Sequence, residues 1–305
     1  MRNVEAELTK LAELSGAPLS EAVPALRRAL ADRINVVVAK AARMAAERQM
    51  HDLLPDLLRA FDRLFEKPVE RDPQCWGKNA LAKALVDLDH RESAPFLRGI
   101  RHIQMEPVWG GQADTASTLR GACVLALVAC TDIDPERTQR CLVDALADRA
   151  APVRVEASRA LAQMDGGLVL RLKAHLGDEE PNVIGQVFDS LLQIERDEGV
   201  NFVAQFLKSA NDAVREEAAL ALGASRSPAA VALLREVWDQ TKEEVLLRAI
   251  SASRQEEAIE FLLDLVRDGR MKDASAAMEA LALHKDREPE VRRLFQERFG
   301  SKPRR

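Results

Sequence analysis

The chain has 305 residues, of which 47% are hydrophobic and only 4% aromatic, with no Tyr. The apolar residues are chiefly Ala and Leu, which suits packed helices and is poor material for β-sheet. A net charge of −5 gives no global attraction for nucleic acid or anionic lipid. The first residues, MRNVEAELTK, hold acidic groups and no apolar segment of signal-peptide kind. The longest apolar run, 122–130, is far short of the roughly 20 residues that span a bilayer. Four cysteines in no CxxC pairing complete the expectation of a cytoplasmic protein with reduced core thiols.

Residues 148–176, DRAAPVRVEASRALAQMDGGLVLRLKAHL, display the repeating unit. Val153, Ala157 and Leu161 form an apolar line at four-residue steps, the signature of one helix face. Asp165-Gly166-Gly167 ends that helix, and Val169, Leu172 and Leu176 are expected to line the inner face of a second. Taking Val153 as the anchor, equivalent positions recur at Val4, Val37, Gly77, Leu119, Val183, Val214 and Val245, with a blurred last one near Ala274. Such spacing is that of helical-pair repeats. Apolar or small residues stand four and eight places past nearly every anchor, and Asp stands five places before five of them: Asp32, Asp72, Asp114, Asp148 and Asp178.

Second helices share Pro24-Ala-Leu-Arg, Pro55-Asp-Leu-Leu-Arg and Pro95-Phe-Leu-Arg, where Pro is expected in a first turn that needs no amide. The pattern predicts an all-α chain of about nine antiparallel helical pairs over 3–299. No linker of Pro, Gly and Ser interrupts it, so one continuous right-handed α-solenoid is expected over 1–305.

Two long spacings locate insertions, at 66–72 and at 102–114 (HIQMEPVWGGQAD). Insertions in repeat arrays often carry binding. Trp109 in the second either folds back over a helix end or meets a partner. Between the insertions lies Cys75-Trp76-Gly77-Lys78-Asn79, where Gly replaces the usual Val or Leu. Asn79 enters a column otherwise filled by Ala6, Ala39, Gly121, Val155 and Gly185, and a polar amide there requires hydrogen-bond partners or an open groove. Trp76, Lys78, Asn79 and Trp109 are therefore candidate partner-binding residues.

The motif Asp-x-x-x-x-Val-Arg-x-x-Ala-x-x-x-Leu followed by a second helix resembles the HEAT repeat, in its bacterial variety similar to phycobilisome-lyase repeats. The best copies are DRAAPVRVEASRAL (148–161) and NDAVREEAALALG (211–223). The resemblance implies a superhelix that acts mostly as scaffold or adaptor, with its second helices lining the concave face. On those helices Arg28, Arg59, Arg98, Arg140, Arg171 and Arg235 share a column. Stacked at the ~10 Å spacing of packed helices, they would form a ladder in the groove suited to carboxylates or phosphates. Asp32, Asp144 and Asp239, four residues after Arg28, Arg140 and Arg235, could instead pair with them within the helix. The first-helix surface column Glu7, Lys40, Glu156, Gln186, Glu217 and Arg248 mixes both signs and reads as a solvated face.

Catalytic signals are thin. The five His are scattered; there is no HExxH, zinc-type Cys/His set, GxSxG, P-loop or GxGxxG, and no cofactor or metal is expected. His102 and Cys75 could approach one another but lack a third partner. The basic tail at 302–305 is short enough to be a solvated end. The leading expectation is a non-enzymatic scaffold holding a protein partner, an acidic or extended segment, by the groove or the Trp109 insertion. Nucleic-acid binding of the HEAT-like DNA-glycosylase kind is the first alternative. A bilin lyase-like enzyme or chaperone is the second.

Overall fold

The structure, a computed structural model, describes residues 4–300; the tail at 302–305 lies outside them. Two compact units divide between Met164 and Asp165. In the first, α1 (Val4–Glu13) precedes α2 (Leu19–Leu30), α3 (Asn35–Glu47) precedes α4 (Leu54–Leu64), and a four-residue α5 (Pro68–Arg71) leads to α6 (Trp76–Asp87) and α7 (Ser93–Gly99). A hairpin follows, β1 (Met105–Val108) and β2 (Gly111–Asp114). After it come α8 (Ser117–Leu127), α9 (Pro135–Ala145) and α10 (Ala151–Gln163). The second unit holds α11 (Gly167–Leu176), α12 (Pro181–Ala204), α13 (Asp212–Ala224), α14 (Pro228–Thr241), α15 (Glu244–Ala252), α16 (Glu256–Asp268), α17 (Met271–Leu281) and α18 (Glu288–Phe299).

The described chain is all-α apart from the hairpin, and its helices follow the predicted pairs. In α12 the two members of a pair run on without a loop, broken only at Arg196 (φ 48°). Gly199 is required just after that break, because a Cβ there would sit 2.9 Å from the Leu191 carbonyl oxygen.

The anchor columns are the core. Val37, Leu119, Val153 and Val183 are buried, as are Ala41, Leu81, Cys123, Ala157 and Val187 one turn on. Leu85, Leu127, Leu161, Leu191 and Leu222 continue the same stripe. Each unit thus closes a ribbon of apolar contact between successive first helices, the source of stability in stacked repeats.

The Asp column ends the turns between repeats. Asp32, Asp114, Asp148 and Asp178 accept the backbone N–H two residues on, from Ile34, Ala116, Ala150 and Glu180, at 2.8–3.0 Å. Each carboxylate satisfies an amide that the following helix leaves unpaired.

Asp72 departs from this pattern because a short turn at 73–75 intervenes. Its buried carboxylate instead accepts from Gly77 N (2.7 Å) and Lys78 N (2.9 Å). Glycine at the anchor makes this approach possible: a Cβ on Gly77 would lie 2.6 Å from Leu64 Cδ1 and 3.0 Å from Asp72 Oδ1. Restoring the column with Gly77→Val is therefore expected to lower stability by about 2 kcal/mol through overpacking. A urea midpoint equal to or above wild type, at unchanged slope, would contradict this.

Several expectations are corrected in detail. On α11 the buried residues are Gly167, Leu170 and Ala174, whereas Leu172 and Leu176 are 59% and 74% exposed. Leu168, Leu172 and Leu176 make a second apolar line at the same helical period, and periodicity alone cannot choose between two such lines. Pro24 sits inside α2, because the helix starts a turn earlier at Leu19. The insertion at 66–72 is helical over α5 rather than a plain loop. The one at 102–114 is the hairpin, with Met105 paired to Asp114 and Val108 to Gly111, and Gly110 at φ 88° in the turn.

Candidate functional site

In the first unit a trough crosses the outward faces of the first helices. Its deeper part, a cavity of about 880 Å³, is lined from α6, α8 and α10. A second cavity of about 680 Å³ continues it across α1 and α3, and the two share Arg43 and Trp76. The floor is made of small side chains: Ala39 on α3, Ala80 on α6, and Gly121, Ala122 and Ala126 on α8. Wherever the helix face carries so little bulk, neighbouring side chains cannot fill the surface and a hollow remains.

Trp76 stands in the middle of this trough, 55% exposed, as the first residue of α6. Its position depends on an unusual turn, since Gln74 and Cys75 are both left-handed (φ 61° and 53°). Non-glycine residues held there cost of order 1 kcal/mol each or more. The strain is held by Glu106 of the hairpin, which accepts from Gln74 N at 2.7 Å and from Gln74 Nε2 at 3.3 Å. Trp76 does not fill the space beside Gly77; Leu64 and Asp72 do.

Charge in the trough is uneven. Lys83 pairs with Asp87 (3.7 Å) and Arg159 with Glu156 (2.8 Å), so these four largely cancel. Lys40 and Arg43, at the edge shared with Trp76, have no ion pair among the described residues. Asn79, which also lines the deeper cavity, leaves its buried Oδ1 without a hydrogen-bond partner. Of the two expectations for Asn79, hydrogen-bond partners or an open groove, its Oδ1 meets neither, while the residue itself lines the trough.

Beneath Trp76 the two insertions meet in a buried polar network. β1 turns polar residues inward and apolar ones outward: Gln104 and Glu106 are buried, while Ile103, Met105, Val108 and Trp109 are exposed. Glu106 accepts from Thr115 Oγ1 and Gln104 Nε2, each at 2.6 Å, and Gln104 Nε2 also reaches the Asp72 carbonyl at 2.9 Å. Burial would raise the Glu106 pKa, but donation from Thr115, Gln104 and Gln74 outweighs it and holds the carboxyl below its usual range.

His102 and Cys75 do not face each other as partners. His102 Nε2 bonds Gln104 Oε1 (3.1 Å), and burial holds its imidazole below the usual range. The Cys75 thiol points at Thr115 Oγ1 (3.9 Å), and burial pushes it up to about 11.

Lys78 is a correction to the candidate set. It is 0% exposed, its Nζ 3.0 Å from the equally buried Asp72, so it cannot touch a partner. It occupies the column one past the anchor, with Arg120, Arg154 and Arg215. Arg120, 3% exposed, joins Asp114 of its own repeat (2.6 Å) to Asp148 of the next (2.8 and 2.9 Å). Arg215 likewise joins Asp212 of its own repeat to Glu243 of the next.

The second-helix arginines do not line the trough. Arg59 pairs with Asp56 (2.5 Å), which Arg27 also holds. Arg98 pairs with Asp62 (2.6 Å) and stacks on Phe65, and Arg140 pairs with Glu136 rather than Asp144. In the second unit Arg171 grips Glu195 with two nitrogens and stacks on Phe202, while Arg235 stacks on Phe261. Arg28 is exposed. Trp109, fully exposed at the hairpin tip, does not fold back over a helix. Lys40, expected on a merely solvated face, lines the trough, as do Arg43, Lys83 and Leu125, which the sequence reading did not single out. Their signal was the small-residue column Ala39, Gly121 and its neighbours, which marks a floor rather than a packed face.

Comparison with known proteins agrees with this build. Residues 168–254, within the second unit, match the family model for HEAT repeats. No curated protein matches the chain. Among solved structures it is similar to human deoxyhypusine hydroxylase in complex with glycerol, at 20% identity over 83% of this chain and 90% of that one, with a TM-score of 0.31. An engineered protein is 16% identical over 98% of this chain and 91% of that one, with a TM-score of 0.36. The helical pairs and the family match define a HEAT-like all-α repeat fold; likenesses at these TM-scores add nothing on activity. No described helix is long and apolar enough to cross a membrane.

Proposed function

We propose that the chain is a non-catalytic scaffold that receives a segment of a partner protein in the first-helix trough. The observation that carries this reading is Trp76, half exposed at the centre of a trough of about 880 Å³ with a small-residue floor. An exposed aromatic in a concave apolar site is the usual anchor of an interface. The HEAT-type repeats supply the general capacity for protein interaction. Nucleic acid is the weaker fit, because only two cations of the trough, Lys40 and Arg43, are left over to meet a phosphate backbone.

Trapping the partner in the cells of origin tests the proposal. A photo-reactive amino acid placed at Lys83 should cross-link a discrete polypeptide in wild type and in Arg98→Glu. Trp76→Ala should reduce that product at least ten-fold. Undiminished cross-linking in Trp76→Ala would remove the trough from the interface.

A second contact surface is supported by the hairpin's inverted pattern. Ile103, Met105, Val108 and Trp109 are each exposed there. A cross-link at Trp109 to the same polypeptide would extend the interface to the hairpin.

A further inference from the structure

We infer that the occupant of the trough is an acidic segment: an apolar side chain packs on Trp76, and its carboxylates meet Lys40 and Arg43. This rests on the preceding reading of the trough as the partner site and adds the chemistry of the partner.

Two observations converge on it. The first is charge. Of the six charged side chains in the trough, two pairs neutralise each other, and the two left over are both cations on one face of α3, three residues apart. They flank the exposed indole, so an apolar anchor with acidic neighbours satisfies both at once. Complementary charge at a rim chiefly sets selectivity and association rate.

The second is the floor. Ala80, Gly121, Ala122 and Ala126 leave room for a backbone to lie close, and a second bulky helix face would not sit as low.

Selection of displayed dodecapeptides on the purified full chain tests the inference. Peptides recovered on wild type and lost on Trp76→Ala are expected to be rich in Asp and Glu around an apolar residue. Synthetic copies, read by fluorescence anisotropy, should lose at least ten-fold in affinity against Lys40→Glu/Arg43→Glu. Raising salt from 50 to 500 mM should weaken wild-type binding. Neither Lys40 nor Arg43 is buried, and an unaltered far-ultraviolet circular dichroism spectrum verifies the variant's fold.

Trp76-dependent peptides that are neutral or basic, or that ignore the Lys40/Arg43 reversal, would overturn the inference and leave the trough reading standing. Failure to recover any Trp76-dependent peptide would overturn both. A single-stranded 20-mer oligonucleotide that binds with Trp76-dependent affinity and displaces the peptides would transfer the site to nucleic acid and overturn the acidic-segment assignment.

Discussion

Replacing Arg120 with Met is expected to destabilise the first unit by about 3 kcal/mol, the largest loss for any single cation in the chain apart from Lys78. The guanidinium is nearly buried and donates to four oxygens: both Asp148 carboxylate oxygens, Asp114 Oδ2 and the His102 carbonyl. Burial alone would lower its pKa, but its bonds to Asp148 and Asp114 overcome that and raise it, so it stays charged. Met fills similar volume but leaves two half-buried carboxylates without their cation and the junction between successive repeats without its clamp. Because Asp114 and Asp148 retain some contact with water, the loss falls at the low end of the range for broken buried pairs. At roughly 2–4 °C per kcal/mol for a unit of this size, the first transition should fall by about 6–12 °C. Calorimetry that shows a shift under 2 °C would make Arg120 dispensable.

The second large effect falls on Lys78. Lys78→Met is expected to cost about 3–5 kcal/mol, because Asp72 is as fully buried as the lysine and would be left as an uncompensated charge. Three N–H donors remain to Asp72, from Gly77, Lys78 and Asn35 at 2.7–2.9 Å, but none carries charge. Adding Asp72→Asn to Lys78→Met should recover about 1–3 kcal/mol, since it removes the charge that the first change stranded. The double-mutant cycle thus measures the pair directly. Were Lys78 a contact residue, Lys78→Met would leave the denaturation midpoint unchanged and weaken partner capture instead.

In sequence Lys78 lies between Trp76 and Asn79, both of which line the trough. Along a helix, consecutive residues point about 100° apart, so neighbours in sequence need not share a face. Column membership was the better guide: Lys78 aligns with Arg154, the Arg that follows the anchor in the repeating unit, and columns turned out to keep their roles. Asn79 likewise kept the role of its column, the floor shared with Ala39 and Gly121. The second-helix arginines failed for a related reason. Acids three residues away or on a neighbouring helix, such as Asp56 for Arg59 and Asp62 for Arg98, complete pairs that a four-residue spacing rule does not anticipate.

Periodicity determined the helical pairs, the buried columns and the positions of both insertions, because these follow from the local 3.6-residue repeat and from where polar turn residues interrupt it. It also flagged the stretch from Cys75 to Asn79 as irregular. What only the tertiary structure decided is which face is open. The inward Glu106 holds the left-handed turn that aims Trp76 outward, and that hydrogen bond links residues 32 apart in sequence. The trough forms where small residues of three first helices fall side by side, and the surviving charge on Lys40 and Arg43 emerges only after every nearby ion pair is made. Contacts between distant segments settle such questions, and a single sequence records the residues without recording their meeting.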